Sequence, residues 1–201
     1  MLKVSQASYD YTRPYWDAIG ATIVGRHVFD LTDGWDGKPP AGVDHMIVVT
    51  HRPAPEGWDL QAPFHFVGGI EAAVTTAQEL AGDRIVEVAA GDVGGQVLAA
   101  GLIDEVRMDV APVVFGAGKR FFGSVDAQHL LEDPHVVIQG NRVLHPGGLR
   151  DRAGHSWRDA PDSYPSTLGP GTGYARLWWP GRHCCFDLST SRPRVGRSRI
   201  G

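Results

Sequence analysis

Cysteine is nearly absent from this chain of 201 residues: there are two, and they are adjacent, Cys184 and Cys185. Neighbouring thiols supply neither a disulfide framework nor the spaced pairs of a zinc knuckle, so stability must come from a packed core in a reducing compartment. No apolar run approaches the length of a bilayer span, and residues 1–8 lack the apolar stretch of a secretory signal; together these predict a cytoplasmic protein with no membrane partner. Nine histidines occur without an HExxH motif or any pair four residues apart, and His183-Cys184-Cys185 stands alone, so no metal site is expected. The GxSxG elbow, the Walker loop and the GxGxxG fingerprint are missing as well, which sets aside serine hydrolases of that type, P-loop enzymes and a standard Rossmann domain. There is no internal repeat.

What the chain does have is enough apolar content, 42%, to bury one sizeable core. Its net charge of −4 conceals a division. Residues 1–144 hold 10 basic and 19 acidic side chains, whereas residues 145–201 hold 9 arginines, no lysine and 4 acids. An acidic body lacks the basic face that a nucleic-acid groove needs to release phosphate counterions, so no nucleic-acid partner is expected.

Periodicity lays out alternating elements. Residues 9–20 form a short amphipathic helix closed by Gly20, and 21–24 a buried strand. Residues 25–31 turn into a second short helix, 32–44 form a Gly/Pro-rich loop, and 45–50 form a strand apolar on both faces. A short strand at 64–67 precedes a helix carrying Ile70, Ala73, Val74, Ala77 and Leu80 on one side and ended by Gly82. The strand 85–88 then leads through a glycine-rich segment into a helix over 93–100. Residues 103–115 alternate Val106, Met108 and Val110 with Arg107 and Asp109, the pattern of a strand near an edge. A hairpin is expected from 135–138 and 142–145 around Gln139-Gly140-Asn141. Past His145 the apolar period fades into Gly, Pro, Arg, Ser and Trp, and 146–201 reads as mostly irregular.

Three strand ends carry groups suited to an anion. Val24-Gly25-Arg26 offers a close backbone approach and a guanidinium, and Thr50-His51-Arg52-Pro53 a hydroxyl, an imidazole and a second guanidinium. Ala89-Ala90-Gly91-Asp92-Val93-Gly94-Gly95 offers small residues before a helix N-terminus, with Asp92 placed to turn inward as a cap. On one parallel sheet these ends would line a single crevice for a phosphorylated nucleotide, with Arg52 opposite the 2′-phosphate of NADP. Each also reads as plain structure: a glycine turn with a solvated arginine, a polar strand end meeting water, and tight strand-to-helix packing. Asp104-Glu105 as an acid/base pair, and Lys119-Arg120 on a substrate phosphate, compete with ordinary surface roles. No residue stands out as a proton donor.

As an ordered set, Ile23-Val24-Gly25-Arg26, the Trp35 loop, Val48-Val49-Thr50-His51-Arg52-Pro53, Gly69-Ile70-Glu71-Ala72-Ala73, Ala89 to Gln96, Gly101-Leu102-Ile103-Asp104-Glu105 and Pro112 to Phe122 resemble the dihydrofolate reductase-like family, typified by the reductase domain of bacterial riboflavin biosynthesis. The resemblance covers about residues 5–145. It implies a three-layer α/β/α fold around a mostly parallel mixed sheet, NADPH as hydride donor, a small heterocyclic substrate such as a phosphoribosylamino-uracil, and a homodimer. By position it assigns Val24, Gly25 and Arg26 to the cofactor's phosphate region, Thr50, His51 and Arg52 to its 2′-phosphate, and Ala89 to Gly95 to its pyrophosphate. The catalytic residues stay unassigned.

Two departures from the family qualify those expectations. Its members begin with a further strand and a Ser-Leu-Asp-Gly type loop, which this chain lacks, so the expectation is a family domain over 1–145 shortened at its start. They also continue the last strand where this chain has Pro146-Gly147-Gly148. For 146–201 two accounts stay open: translation in a shifted frame of a GC-rich gene, or an arginine-rich tail that binds a partner. A noncatalytic NADP-binding remnant, or a scaffold with an interaction tail, is the alternative to a reductase.

Overall fold

The computed structural model describes residues 4–40, 42–125, 127–149, 174–177 and 184–187. The central strand of the sheet is buried without interruption: β1 (Ile19–Gly25) is buried over Ile19 to Val24. It pairs in parallel with β2 (His45–Val49) on one side and β4 (Ile85–Val88) on the other, and β3 (Phe64–Val67) pairs in parallel with β2. The order across the sheet is β3-β2-β1-β4. Strands that run parallel need crossovers, and the helices that make them cover both faces, which is why β1 and β2 show no polar alternation.

Alternate residues feed two cores. Ala21, Ile23 and Ile47 point to α3 (Ile70–Ala81) and α4 (Asp92–Ala99), packing with Ala73, Val74, Ala77 and Val97. Val24, Met46 and Val48 point the other way, to Phe29 of α2 (Arg26–Leu31), Phe64 and Ala89. Each fully buried Ile, Val or Met side chain contributes about 1.5–3 kcal/mol. On the second face the chain from Asp33 to Gly37 winds through a left-handed turn, with φ between 51° and 73° at five successive residues. Such backbone costs about 1–2 kcal/mol per non-glycine residue. Packing offsets it: Trp35 stacks on Phe64 at 6.2 Å, beside Trp58, Phe29 and Phe66.

Helix α1 (Gln6–Asp17) starts three residues earlier than its apolar spacing suggests. Ser5 caps it, its hydroxyl accepting from the Ser8 amide at 3.2 Å. Gly20, expected to close that helix, lies inside β1 instead. A side-chain carbon there would come within 2.9 Å of Ala81, so the glycine lets the end of α3 rest against the strand. The helix after β4 begins at Asp92 rather than at Val93.

The second half forms a smaller sheet. Hairpin β5 (Val136–Gly140) and β6 (Val143–Gly147) turns at Asn141-Arg142, so the positive φ, +60°, falls on Arg142 and not within Gln139-Gly140-Asn141. The edge strand expected over 103–115 is an extended segment that meets the hairpin at bridges Val106–Leu149 and Val110–Leu144. Opposed residues shift by one between those bridges, and the shift is taken up at Gly147-Gly148, with φ +74° at Gly148. Pro146 does not end the last strand. It lies within β6, and its carbonyl accepts from the Met108 amide at 3.1 Å; its missing N–H removes one ladder bond. Ordered pairing thus runs past residue 145 to Leu149. In the stretch read as irregular, β7 (Tyr174–Leu177) and β8 (Cys184–Asp187) pair as an antiparallel ladder; the rest of that stretch lies outside the described residues.

Candidate functional site: a rim at the strand ends

All four strands of the main sheet are parallel, so Gly25, Thr50, Gly68 and Ala89 share one rim at their carboxyl ends. Strand order reverses at β1: the chain moves from β1 outward through β2 to β3, then returns to place β4 on the other flank. The helices that leave these two neighbours pack on opposite faces, α2 in the Phe29 core and α4 in the Val97 core. This is the topological switch point at which parallel α/β sheets open a crevice for ligands.

The rim brings the three sequence segments together. Between Gly25 and Val93 the fit is close, since a carbon added at Gly25 would lie 3.1 Å from the Val93 side chain. Arg26 ties the first segment to the second, its Nη1 donating to the Pro53 carbonyl at 2.8 Å. Its guanidinium also lies over Phe29 and Phe66, 5.5 and 5.9 Å from their centroids, and its side chain is 14% exposed. Asp30, one helical turn on, accepts from Arg26 Nε through Oδ1 and from Arg52 Nη2 through Oδ2, both at 2.7 Å. Hydrogen bonding to Arg26 holds the Asp30 carboxyl below its ordinary value, so it is charged at neutral pH. The Thr50 hydroxyl accepts from the Arg52 amide at 3.0 Å, and His51 stands exposed beside Gly68.

Other members of the predicted set face inward. Val24 and Ala89 are buried in the second core. A carbon at Gly94 would press on the Ala89 carbonyl at 2.8 Å, and one at Gly95 on the Phe122 carbonyl at 2.2 Å, so both glycines serve chain-to-chain packing. Asp92 is the first residue of α4, with Gly91 as its cap, so its carboxylate is not an N-cap. Instead it accepts from the Ser124 amide and hydroxyl, both at 3.0 Å, and pins the 121–125 loop. Gly91 has φ +93° and open space where a side chain would stand. The first intrahelical bond of α4 is donated by Gly95 to the Gly91 carbonyl, so the amides of Asp92 to Gly94 point out of the helix toward the rim.

Beyond Ala90 the rim opens into a cleft of about 590 Å³. One wall is β4, which is an edge strand among the described residues. The facing wall is the 103–109 segment, with Tyr11 and Tyr15 of α1 beside it. Arg107 lies 4.5 Å from the Tyr15 ring centroid and pairs with Glu105 at 2.6 Å. Glu87, a carboxyl in the middle of an apolar strand, accepts from the Thr22 hydroxyl at 3.0 Å. Burial pushes its pKa up against that hydrogen bond, and burial together with the Glu87 charge pushes the Tyr15 phenol up.

The sign of the pH effect follows. Between the ordinary glutamate pKa and the raised folded value, the unfolded chain ionises Glu87 while the folded chain keeps its proton, so stability falls as pH rises through that window. Glu87→Gln is expected to remove that slope and to raise stability at the upper end of the window. Urea unfolding at several pH values checks it; an unchanged slope would contradict it.

Sequence reasoning also passed over a Ser-His-Asp line. His145 meets Asp109 at 2.6 Å through Nδ1 and Ser8 at 2.9 Å through Nε2. A side-chain carbon at Gly140 would fall 2.0 Å from the Ser8 oxygen, so backbone walls that hydroxyl in; the line clasps α1 to the hairpin and presents no nucleophile. Among the described residues no three His, Cys, Asp or Glu side chains are grouped to hold a metal, and no helix is long and apolar enough to cross a membrane.

A parallel α/β sheet with a topological switch point at β1 defines the class, an open α/β fold whose ligands bind at the carboxyl ends of the strands. Within that class the chain belongs to the RibD C-terminal domain family, whose model matches residues 40–145. No curated protein matches it. Among solved structures, a protein from Shewanella sp. PV-4 described as a riboflavin biosynthesis protein matches at 17% identity, with a TM-score of 0.54, 70% of this chain and 78% of the other covered. RibD from Acinetobacter baumannii, form 1, matches at 18% identity with a TM-score of 0.50; 75% of this chain covers 52% of that one. The fold is dihydrofolate reductase-like.

Proposed function

We propose that this chain binds NADPH along the rim and acts as a reductase of a small heterocyclic substrate in the manner of its family. The observation that carries the reading is the convergence of Arg26 and Arg52 on one carboxylate beside Gly25: two cations already hold an anion at the switch point. In this reading Arg52 and Arg26 grip the 2′-phosphate, and Gly91 with the first amides of α4 receives the pyrophosphate. Val24, Ala89, Gly94 and Gly95 shape the rim from beneath, and Thr50 holds the Arg52 turn. The bound cofactor supplies hydride; the chain contributes orientation and electrostatics. The 590 Å³ cleft beyond Ala90 takes the substrate ring, where Tyr11, Tyr15 and Glu87 supply hydroxyl and carboxyl groups within a partly dry wall.

A second reading, a nucleotide-binding remnant without turnover, is favoured by the edge position that β4 takes along the cleft among the described residues. Oxidation of NADPH in the presence of aminopyrimidine ribotides separates the two. Turnover supports the reductase; saturable binding without turnover supports the remnant. We take the protein as a cytoplasmic homodimer whose nucleotide-binding unit closes near residue 145, with the outward Val137 and Leu144 of the hairpin available to a second copy; light scattering checks the dimer.

A further inference from the structure

Asp30 is placed oddly for a site that attracts phosphate. Its two oxygens take the hydrogen bonds that Arg26 and Arg52 would give to a ligand anion, each at 2.7 Å. The two cations differ in freedom. Arg26 is held independently by the Pro53 carbonyl and by the Phe29 and Phe66 rings, whereas the Arg52 side chain is 61% exposed and meets Asp30 across the surface. Beside the carboxylate lies a hollow of about 300 Å³ lined by Arg26, Phe29, Asp30, Asp33 and Trp58.

We propose that Asp30 is the residue that sets the cofactor preference of this site, as a built-in counterion that a 2′-phosphate must displace and that a plain 2′-hydroxyl need not. The proposal rests on the NADPH-binding reading. A phosphate dianion and a carboxylate compete for the same guanidinium protons, and two anions at hydrogen-bond distance from one cation repel each other. A 2′-hydroxyl can instead donate to the carboxylate, the arrangement by which an acidic residue accepts a ribose in NAD sites. Asp30 therefore lowers affinity for the phosphorylated dinucleotide, preserves affinity for the plain one, and keeps the two arginines from repelling each other while the rim is empty.

Calorimetric titration of the full chain with NADPH, NADH and 2′,5′-ADP tests this on Asp30→Asn, Asp30→Ala and Arg52→Ala. Asp30→Asn, which keeps size and one acceptor oxygen, is expected to tighten NADPH and 2′,5′-ADP about tenfold and to leave NADH within about twofold. Melting temperature should hold steady in Asp30→Asn, because the Asp30 carboxylate is itself exposed and the amide keeps an acceptor for the more buried Arg26. If Arg52→Ala weakens NADPH while neither Asp30 variant tightens it, Asp30 merely positions Arg52 and the proposal is overturned on its own. If Arg52→Ala and both Asp30 variants leave NADPH binding unchanged, the placement of the 2′-phosphate is wrong and the proposal falls with it.

Discussion

Arg52→Ala is expected to weaken NADPH by about 2–3 kcal/mol, roughly 30- to 150-fold, while NADH changes little. The asymmetry follows from where the charge lies. Arg52 lies just past the carboxyl end of β2, and in the proposed placement its guanidinium meets the adenosine end of the dinucleotide. A charge-assisted bond to a phosphate dianion is worth about twice a neutral one, and plain NADH has no phosphate at that position. Folding should be almost indifferent, since the present partner of Arg52 is the exposed Asp30 carboxylate and such surface pairs contribute about 0–1 kcal/mol. Parallel titrations with both cofactors check the outcome. An equal loss for both would remove Arg52 from the 2′-phosphate site.

The second large effect concerns Gly95, whose missing side chain matters to the packing beneath the rim. A carbon added there would lie 2.2 Å from the Phe122 carbonyl oxygen and 2.6 Å from the Val125 side chain. A backbone carbonyl cannot swing aside as a flexible side chain can, so α4 and the 121–125 loop must separate. Gly95→Ala is therefore expected to cost about 2–3 kcal/mol and several degrees of melting temperature. The damage should reach the site: the Gly91 amide donates to the Phe121 carbonyl at 2.6 Å, and Asp92 holds Ser124, so displacing the loop disturbs the first turn of α4. Thermal unfolding and NADPH titration of the same variant should fall together. A full-strength melting temperature would mean that the loop does not rest on α4 in solution.

Much of the main sheet was legible because its signals are strong and local. Largely apolar runs at Ala21 to Val24 and Met46 to Val48 have few alternatives to a strand buried on both faces, and the spacing of Ile70, Ala73, Val74 and Ala77 fits one side of a helix. Misjudged boundaries came from competing short-range chemistry. Ser5 begins α1 through a single hydroxyl ahead of the apolar spacing, and Gly20 carries a packing role that looks the same in sequence as a helix stop. Pro146 remains in a strand because Met108 needs only its carbonyl.

The site divides along the same line. Gly25, Arg26 and Arg52 were recognisable as chemistry at strand ends, and the parallel pairing brings them to one rim. Two kinds of information were out of reach. The destination of Gly95 depends on a loop some thirty residues away in sequence, and Asp92 turned to that loop instead of capping its own helix. Asp30 and Glu87 did leave signals: an acid four residues after Arg26 on a helix, and a single carboxylate within Ile85-Val86-Glu87-Val88.

The most direct test is a calorimetric titration of the intact protein with NADPH beside NADH. A single saturable site with NADPH preferred, and that preference lost in Arg52→Ala, is the result expected. No heat with either cofactor on protein that melts cooperatively would contradict it.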